Sequence, residues 1–429
     1  MKKVKSVMKI LFIAAIVAGL CSPAYAFPPP KPVPGQFIVV FQEAKIPPAT
    51  KLMKIQAANE DEKAKMSLAR RQEVLNKINS FNAKNKIQES AILHKFSHVL
   101  SGYSAKLSQN EVTKLRGQAD VEGVYQDFEI NLGPTPVSTT APSDVNAQSQ
   151  YLSCAVAKAG GPYIGPPKPT KIWILDTGID QTHPDLNVLN ISALAKSFVP
   201  GQSAVVDGYG HGTHCAGIAA AKNNAFGVVG VSAGARVVPV KVLSNTGSGL
   251  WSWLIAGLDH VSYYDMPGDV VSMSLGGYPV ACNVGTYGST ARALAIAIQR
   301  LASAGTYVVM AAGNNGDCIG ATKTLPGCIN MPRVYTVGAL NCDLSRAWIK
   351  DSSGAIKYYS NYGPGTVDWV AVGTDVWSTY PMSKGGYAKM SGTSMATPVV
   401  AGIIHARGGP PVPAGVRNIC NVNYPVAHR

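Results

Sequence analysis

A mainly parallel α/β sheet with helices on both faces, preceded by a small α+β domain, is the architecture this sequence predicts, on three observations. Beyond Tyr151, short β-branched apolar runs alternate with segments of helical pattern, the signature of βαβ units whose sheet is covered on both sides. The region 27–132 is charge-rich and lacks cysteine, whereas the chain beyond Tyr151 has no glutamate and holds most of the glycine. Between them lies "LGPTPVSTTAPSDVNAQSQ", Leu132 to Gln150, a Pro/Ser/Thr stretch of linker character. The expected organisation is an export leader over 1–26, a small domain over 27–132, a linker over 133–150 and a large domain over 151–429.

The elements follow in chain order. Met1 to Lys9 carries four lysines, Ile10 to Leu20 is apolar, and Ala24-Tyr25-Ala26 offers small residues for cleavage. That pattern predicts a signal peptide cut after Ala26 and a secreted protein, extracellular or periplasmic. The apolar run falls short of the roughly 20 residues that span a bilayer, so no membrane anchor is expected. In the small domain "QFIVVF" (Gln36 to Phe41) reads as a strand, and Asp61 to Phe81 as a helix with Leu68, Leu75 and Ile78 at helical spacing. "KFSHVL" and "GYSAKL" alternate as two strands around Ser101-Gly102. Ser108 to Glu111 is a capping box opening a helix with Val112, Leu115 and Ala119 inward. "GVYQDFEI" closes a β-α-β-β-α-β order, the split βαβ arrangement of ferredoxin-like domains.

In the large domain the strands are "KIWILD", "RVVPVKVL", "DVVSMSL", "TYVVMAAG", "RVYTVGAL" and "WVAVG". Helices are expected from His211, over Trp251 to Tyr263, over Ser289 to Ala302 and from Thr393. With 46% hydrophobic and 14% charged residues in 429, the chain has material for a sizeable core. The excess of 38 Lys+Arg over 24 Asp+Glu is scattered, without a basic run, which argues against a nucleic-acid partner.

Once the leader is removed, seven cysteines remain: Cys154, Cys215, Cys282, Cys318, Cys328, Cys342 and Cys420. In an oxidising compartment they imply up to three disulfides and one free thiol, with Cys318–Cys328 the cheapest loop to close and Cys215 the candidate free thiol. No Cys-x-x-Cys occurs, so neither a zinc knuckle nor a thioredoxin motif is supported.

Ligands in such sheets sit at the carboxyl ends of the strands. Asp176 ends the first strand in "ILDTGID", His211 opens a helix in "GHGTHCAG", and Ser394 lies in "SGTSMATP". A serine hydroxyl is a poor nucleophile until a neutral imidazole takes its proton, and a buried carboxylate must hold that imidazole in the right tautomer. Asp, His and Ser from three element ends meet that need. A metal site at His211 and His214 is disfavoured because Gly212 stands where a zinc-protease motif needs glutamate. His214 is then helix packing and Cys215 a buried small residue. An α/β-hydrolase is excluded, since its acid must follow the serine and no Asp or Glu lies beyond Ser394.

"DTGID", "GHGTHCAG" and "SGTSMATP", in the order Asp…His…Ser, resemble the three signature motifs of the subtilisin-like serine proteases (subtilase family, peptidase S8) over about Lys171 to His405. The cysteine in the second motif is similar to the proteinase K-like branch. The region 27–132, with "FSHVLSGYSAKL", resembles the family's I9-type inhibitory propeptide. The resemblance implies that Asp176 orients the imidazole, His211 is general base and then acid, Ser394 is the nucleophile, and Asn314 in "AAGNNG" is the oxyanion donor. It further implies that Gly247-Ser248-Gly249 and Ser274-Leu275-Gly276, continuing to Gly277, are two backbone edges that receive a peptide as an added strand. Ala311, Ala312 and Gly313 would wall the pocket for the residue before the scissile bond, favouring broad, apolar-preferring cleavage.

No cofactor is implied for the chemistry. A structural calcium is implied at Asp185 and Asn224, with carbonyls near Lys222, Phe226 and Val228. The expected protein is a monomeric endopeptidase, made as a self-processing precursor, whose partners are protein or peptide substrates and its own propeptide. A secreted binding protein that keeps the fold without activity is the competing class.

Overall fold

The structure, a computed structural model, describes residues 31–42, 60–132, 137–139, 149–277, 290–350 and 356–429. The leader expected over 1–26, Cys282 and most of the linker lie outside the described residues.

The small domain contains β1 (Pro32–Phe41), α1 (Glu60–Asn85), β2 (Ile92–Phe96), β3 (Gly102–Lys106), α2 (Gln109–Arg116) and β4 (Val121–Asn131). Its strands pair antiparallel in the order β4-β1-β3-β2. In β1, Phe37, Val39 and Phe41 face α1 and α2, while Ile38 and Val40 face the large domain and join its core. Successive strand residues point to opposite faces, so a continuous apolar run is what a sheet buried on both sides requires. At the start of α2 the Glu111 N–H donates to Ser108 Oγ at 3.3 Å, and the Ser108 N–H donates to Glu111 Oε2 at 2.7 Å. Such a cap contributes about 1 kcal/mol.

Three expectations are corrected here. Leu68 is 58% exposed, because the buried stripe of α1 centres on Val74, Ile78 and Phe81; Leu68 and Leu75 lie one turn-step off it, on its border. The strand expected over Lys95 to Leu100 instead ends at Phe96, where Ser97 to Val99 give their N–H groups to a side chain of the large domain. Ala119 lies beyond the last residue of α2 and is exposed.

The large domain runs β5 (Val137–Ser138), α3 (Cys154–Lys158), β6 (Ile172–Asp176), β7 (Asn187–Val188), β8 (Lys196–Ser197), α4 (His211–Ala220), β9 (Arg236–Lys241), β10 (Ser248–Leu250), α5 (Trp251–Tyr264) and β11 (Val270–Met273). It continues through α6 (Thr290–Ser303), β12 (Tyr307–Ala311), β13 (Val334–Leu340), the hairpin β14 (Trp348–Lys350) and β15 (Ile356–Tyr359), β16 (Trp369–Val372), β17 (Val376–Thr379), β18 (Tyr387–Met390), α7 (Thr393–Arg407), β19 (Val412–Ile419) and β20 (Val422–His428). The main sheet has the order β19-β20-β16-β13-β12-β11-β6-β9-β7, with β8 also on β9. All its pairings are parallel except β19–β20. One face packs on α4 and α7 through Ile218, Val399 and Val400, the other on α5 and α6 through Leu254, Leu258, Leu294 and Leu301.

Beyond α7 the chain forms the β19–β20 hairpin, whose turn places Cys420 and Asn421 at φ 54° and 62°. Cys420 is bonded to Cys318, and Cys154 to Cys342. The expected Cys318–Cys328 bridge is therefore wrong: the hairpin tip reaches the Cys318 loop, and topology outweighs short loop closure. Cys328 is bonded elsewhere, and Cys215 is free and buried.

Candidate active site

Asp176 is the last residue of β6 and His211 the first of α4. A Cβ at Gly212 would stand 2.1 Å from the Gly178 carbonyl oxygen, so glycine is what lets α4 pass close to the end of β6. The approach allows His211 Nδ1 to donate to both Asp176 oxygens, at 2.8 and 2.9 Å, with both residues completely buried. A carboxylate only accepts, so Nδ1 carries a proton; Nε2 has no partner among the described residues. Burial disfavours the imidazolium, but the Asp176 carboxylate outweighs it and holds the His211 pKa well above the ordinary value.

Ser394 is the second residue of α7, among the first four N–H groups that a helix leaves unpaired. Its hydroxyl donates to the Ser274 carbonyl at 3.2 Å rather than to the imidazole; catalytic bonds of this kind commonly tighten only with substrate in place. Asn314 lies in the loop after β12. The Thr393 N–H and hydroxyl both donate to Asn314 Oδ1, at 2.9 and 3.0 Å, which turns Nδ2 the other way. Asn314 and Ser394 share a cavity of about 50 Å³ with Ser274, Leu275, Gly276, Ala311 and Gly313. Ala312 does not line it; it is fully buried in the cluster with Tyr362 and Val370, because alternate residues leaving β12 face opposite sides.

The edge at Gly247, Ser248 and Gly249 is occupied. β4 pairs antiparallel with β10, with Asn131 opposite Ser248 and Ile130 opposite Gly249, and the Leu132 N–H donates to the Gly247 carbonyl at 2.9 Å. Asn131 and Leu132 thereby form part of the cavity wall beside Ser394. On the far side, Val137 in β5 pairs with Met390 in β18.

His214 Nε2 faces the Val376 and Ala388 carbonyls at 3.1 and 3.0 Å. Burial pushes its pKa down to about 3, so it is a neutral tie between α4 and the β17–β18 hairpin. The Cys215 sulfur lies 3.9 Å from His211 Nδ1 and 3.5 Å from the Ser394 carbonyl. Burial pushes its thiol up, which keeps it protonated.

Sequence reasoning missed several residues that hold this geometry. Asp207, nearly fully buried, accepts from Thr177 Oγ1, the N–H groups of Tyr209, Gly210 and Thr213, and Thr213 Oγ1. It caps α4 while Thr177 Oγ1, beside Asp176, accepts from the Gly212 N–H at 2.9 Å. Lys241, opposite Asp176 in the β6–β9 register, is pushed down to about 8 by burial, against the pull of Asp207 and Asp176. Asp207 stood four residues before His211 as a visible signal; Lys241 read as part of a strand.

Around Asp185 the donor set is oxygen. The Gln150 amide nitrogen donates to the Lys222 carbonyl, Asn224 Oδ1 and the Val228 carbonyl at 2.7, 3.2 and 3.2 Å. Asp185 accepts from Asn224 Nδ2 at 2.6 Å and the Val228 N–H at 2.9 Å, and burial pushes its carboxyl up. The Lys222 and Val228 carbonyls and Asn224 Oδ1 converge on the Gln150 amide, and the Asp185 carboxylate is tied to Asn224 and Val228 beside them, a donor set of the kind a hard cation takes. Turning the Gln150 amide over would add its oxygen. Phe226 places its N–H on Asn224 Oδ1 at 3.1 Å.

The Subtilase family model matches residues 168–406, and the Peptidase inhibitor I9 model matches residues 36–132. The chain is 33% identical to Subtilisin J of Geobacillus stearothermophilus over 353 residues, 82% of each chain. It is 36% identical to Alkaline serine protease ver112 of Corniculantispora psalliotae over 340 residues, 76% of each. With Subtilisin of Bacillus pumilus the identity is 40% over 233 residues, 54% of this chain and 74% of the relative.

Proposed function

Because the chain belongs to the subtilase family of serine endopeptidases, we propose that Asp176, His211 and Ser394 are its triad, Asn314 its oxyanion donor, and residues 27–132 its own slow substrate and inhibitor. Ser394 Oγ attacks the scissile carbonyl carbon as its proton passes to His211 Nε2, and the carbonyl oxygen becomes an oxyanion facing Asn314 Nδ2 and the Ser394 N–H. The intermediate collapses as His211 gives that proton to the leaving amine, and an acyl group remains on Ser394. Water then loses a proton to His211 and attacks the ester; the acid leaves and the proton returns to Ser394. Asp176 stays ionised throughout and stabilises the imidazolium.

The observation that carries this reading is strand β4, laid antiparallel on β10 with Leu132 in the cavity of Ser394. Main chain is read first, as an added strand. Leu132 and Val137 are both docked on large-domain strands, so the first cut falls within the short stretch between them. Secretion with removal of 1–26 belongs to the same reading. So does a structural calcium held by Asp185, Asn224, Gln150 and the Lys222 and Val228 carbonyls, supplying stability and no catalytic step. Expression of Ser394→Ala tests it: the account expects uncut precursor, while the wild type yields an N-terminus within 133–137. Normal maturation of Ser394→Ala in a host without other secreted proteases would refute self-processing.

A further inference from the structure

We propose that Asn361 is a positioning residue for the oxyanion hole: it sets the loop that carries Asn314, and its loss costs turnover rather than substrate binding. The inference rests on the reading of Asn314 as oxyanion donor. Asn361 is completely buried between β15 and β16, and its polar atoms converge on the segment 312–317, with one further bond to Thr324. Its Oδ1 accepts from the N–H groups of Asn315 and Asp317 at 2.9 and 3.2 Å. Its Nδ2 donates to the Ala312 carbonyl at 3.1 Å, Asn315 Oδ1 at 3.0 Å and Thr324 Oγ1 at 3.3 Å. Its backbone N–H donates to the Gly313 carbonyl at 2.8 Å. A main-chain N–H only donates and a carbonyl only accepts, so the orientation of this amide follows from its partners.

The residues held are those on either side of Asn314, and Asn314 itself is left free of Asn361. Thr393 grips Asn314 from the opposite side through Oδ1. The loop is built around the buried amide: Gly313 has φ 91°, and a Cβ there would lie 2.7 Å from Asn361 Nδ2. An oxyanion donor acts only within about 2.7–3.1 Å of the place where charge develops, and a displacement of about 1 Å costs on the order of 100-fold in rate. Asn361 bonds to none of the triad residues, so its route to the chemistry runs through Asn314.

A double-mutant cycle tests this, with kcat and KM measured on a chromogenic peptide and active sites counted by fluorophosphonate titration. Precursors too slow to process themselves are matured with a trace of wild-type enzyme and repurified. Asn361→Ala is expected to lower kcat about 10- to 100-fold with KM changed less than about 3-fold. In an Asn314→Ala background the same change should cost less than about 3-fold, because the donor it positions is already gone. Equal losses in both backgrounds, or a loss confined to KM, would overturn the proposal. If Asn361→Ala gives no titratable enzyme, Asn361→Ser carries the same cycle. Asn314→Ala alone is the separate check: an unchanged kcat there sinks the oxyanion reading itself, whatever Asn361 does.

Discussion

Removing the Asp259 carboxylate should release the propeptide about 30-fold more readily. Asp259 lies in α5, nearly buried, and accepts from three consecutive N–H groups of the small domain: Ser97 at 3.0 and 3.1 Å, His98 at 2.6 Å and Val99 at 2.9 Å. Truncating one partner of a buried hydrogen-bonded charge costs about 2–5 kcal/mol. A cavity of about 560 Å³ opens beside Asp259, lined by His94, His260 and Tyr263, and water there can rehydrate the orphaned N–H groups. The low end therefore applies, and about 2 kcal/mol is about 30-fold at 1.4 kcal/mol per decade. The assay follows inhibition of mature wild-type and Asp259→Ala enzymes by added residues 27–132. Asp259 does not line the cavity of Ser394, so kcat on small peptides should not change. Inhibition constants within about 3-fold of each other would refute Asp259 as a polar anchor of the propeptide.

Two further outcomes follow from the site. His211 works as the neutral ring and its pKa is raised by Asp176, so kcat/KM should climb with pH through a limb lying above the ordinary value of about 6.5. Asp176→Asn should move that limb down, since the carboxylate that opposes burial is gone, and should cut kcat by about 10,000-fold; a limb that stays in place would contradict the pairing. Chelation should lower the Tm of the mature enzyme and leave Asp185→Ala unmoved, because a ligand at 100 times its Kd contributes about 2.7 kcal/mol; equal shifts in both would place the calcium elsewhere.

Legibility in the sequence tracked how local each feature is. The end of β6 and the starts of α4 and α7 could be read because Asp176, His211 and Ser394 each sit with their own glycines within one contiguous motif. The parallel sheet was legible from β-branched runs spaced by helical patterns. Asp259 and Asp127 were not: each acts across the domain interface, Asp127 accepting from the Ser252 N–H at 3.2 Å to cap α5, and neither pairing leaves a local pattern. The β19–β20 hairpin was hidden because its turn is Cys420-Asn421 instead of the usual Asn-Gly, and the Cys318–Cys420 bridge was hidden with it. In α1 the spacing was right but the face was off by one step, because Ser67 and Arg70 turn inward, Ser67 Oγ meeting His98 Nε2 at 2.8 Å and Arg70 Nε donating to the Ser97 carbonyl at 3.1 Å. Polar residues buried for such bonds look like surface in a sequence.

The most direct measurement is fluorophosphonate labelling of the secreted, processed protein, followed by mapping of the labelled residue. The account predicts stoichiometric label on Ser394, lost in Ser394→Ala and strongly slowed in His211→Ala. A correctly processed protein that takes no label, or takes it at another residue, would contradict the triad.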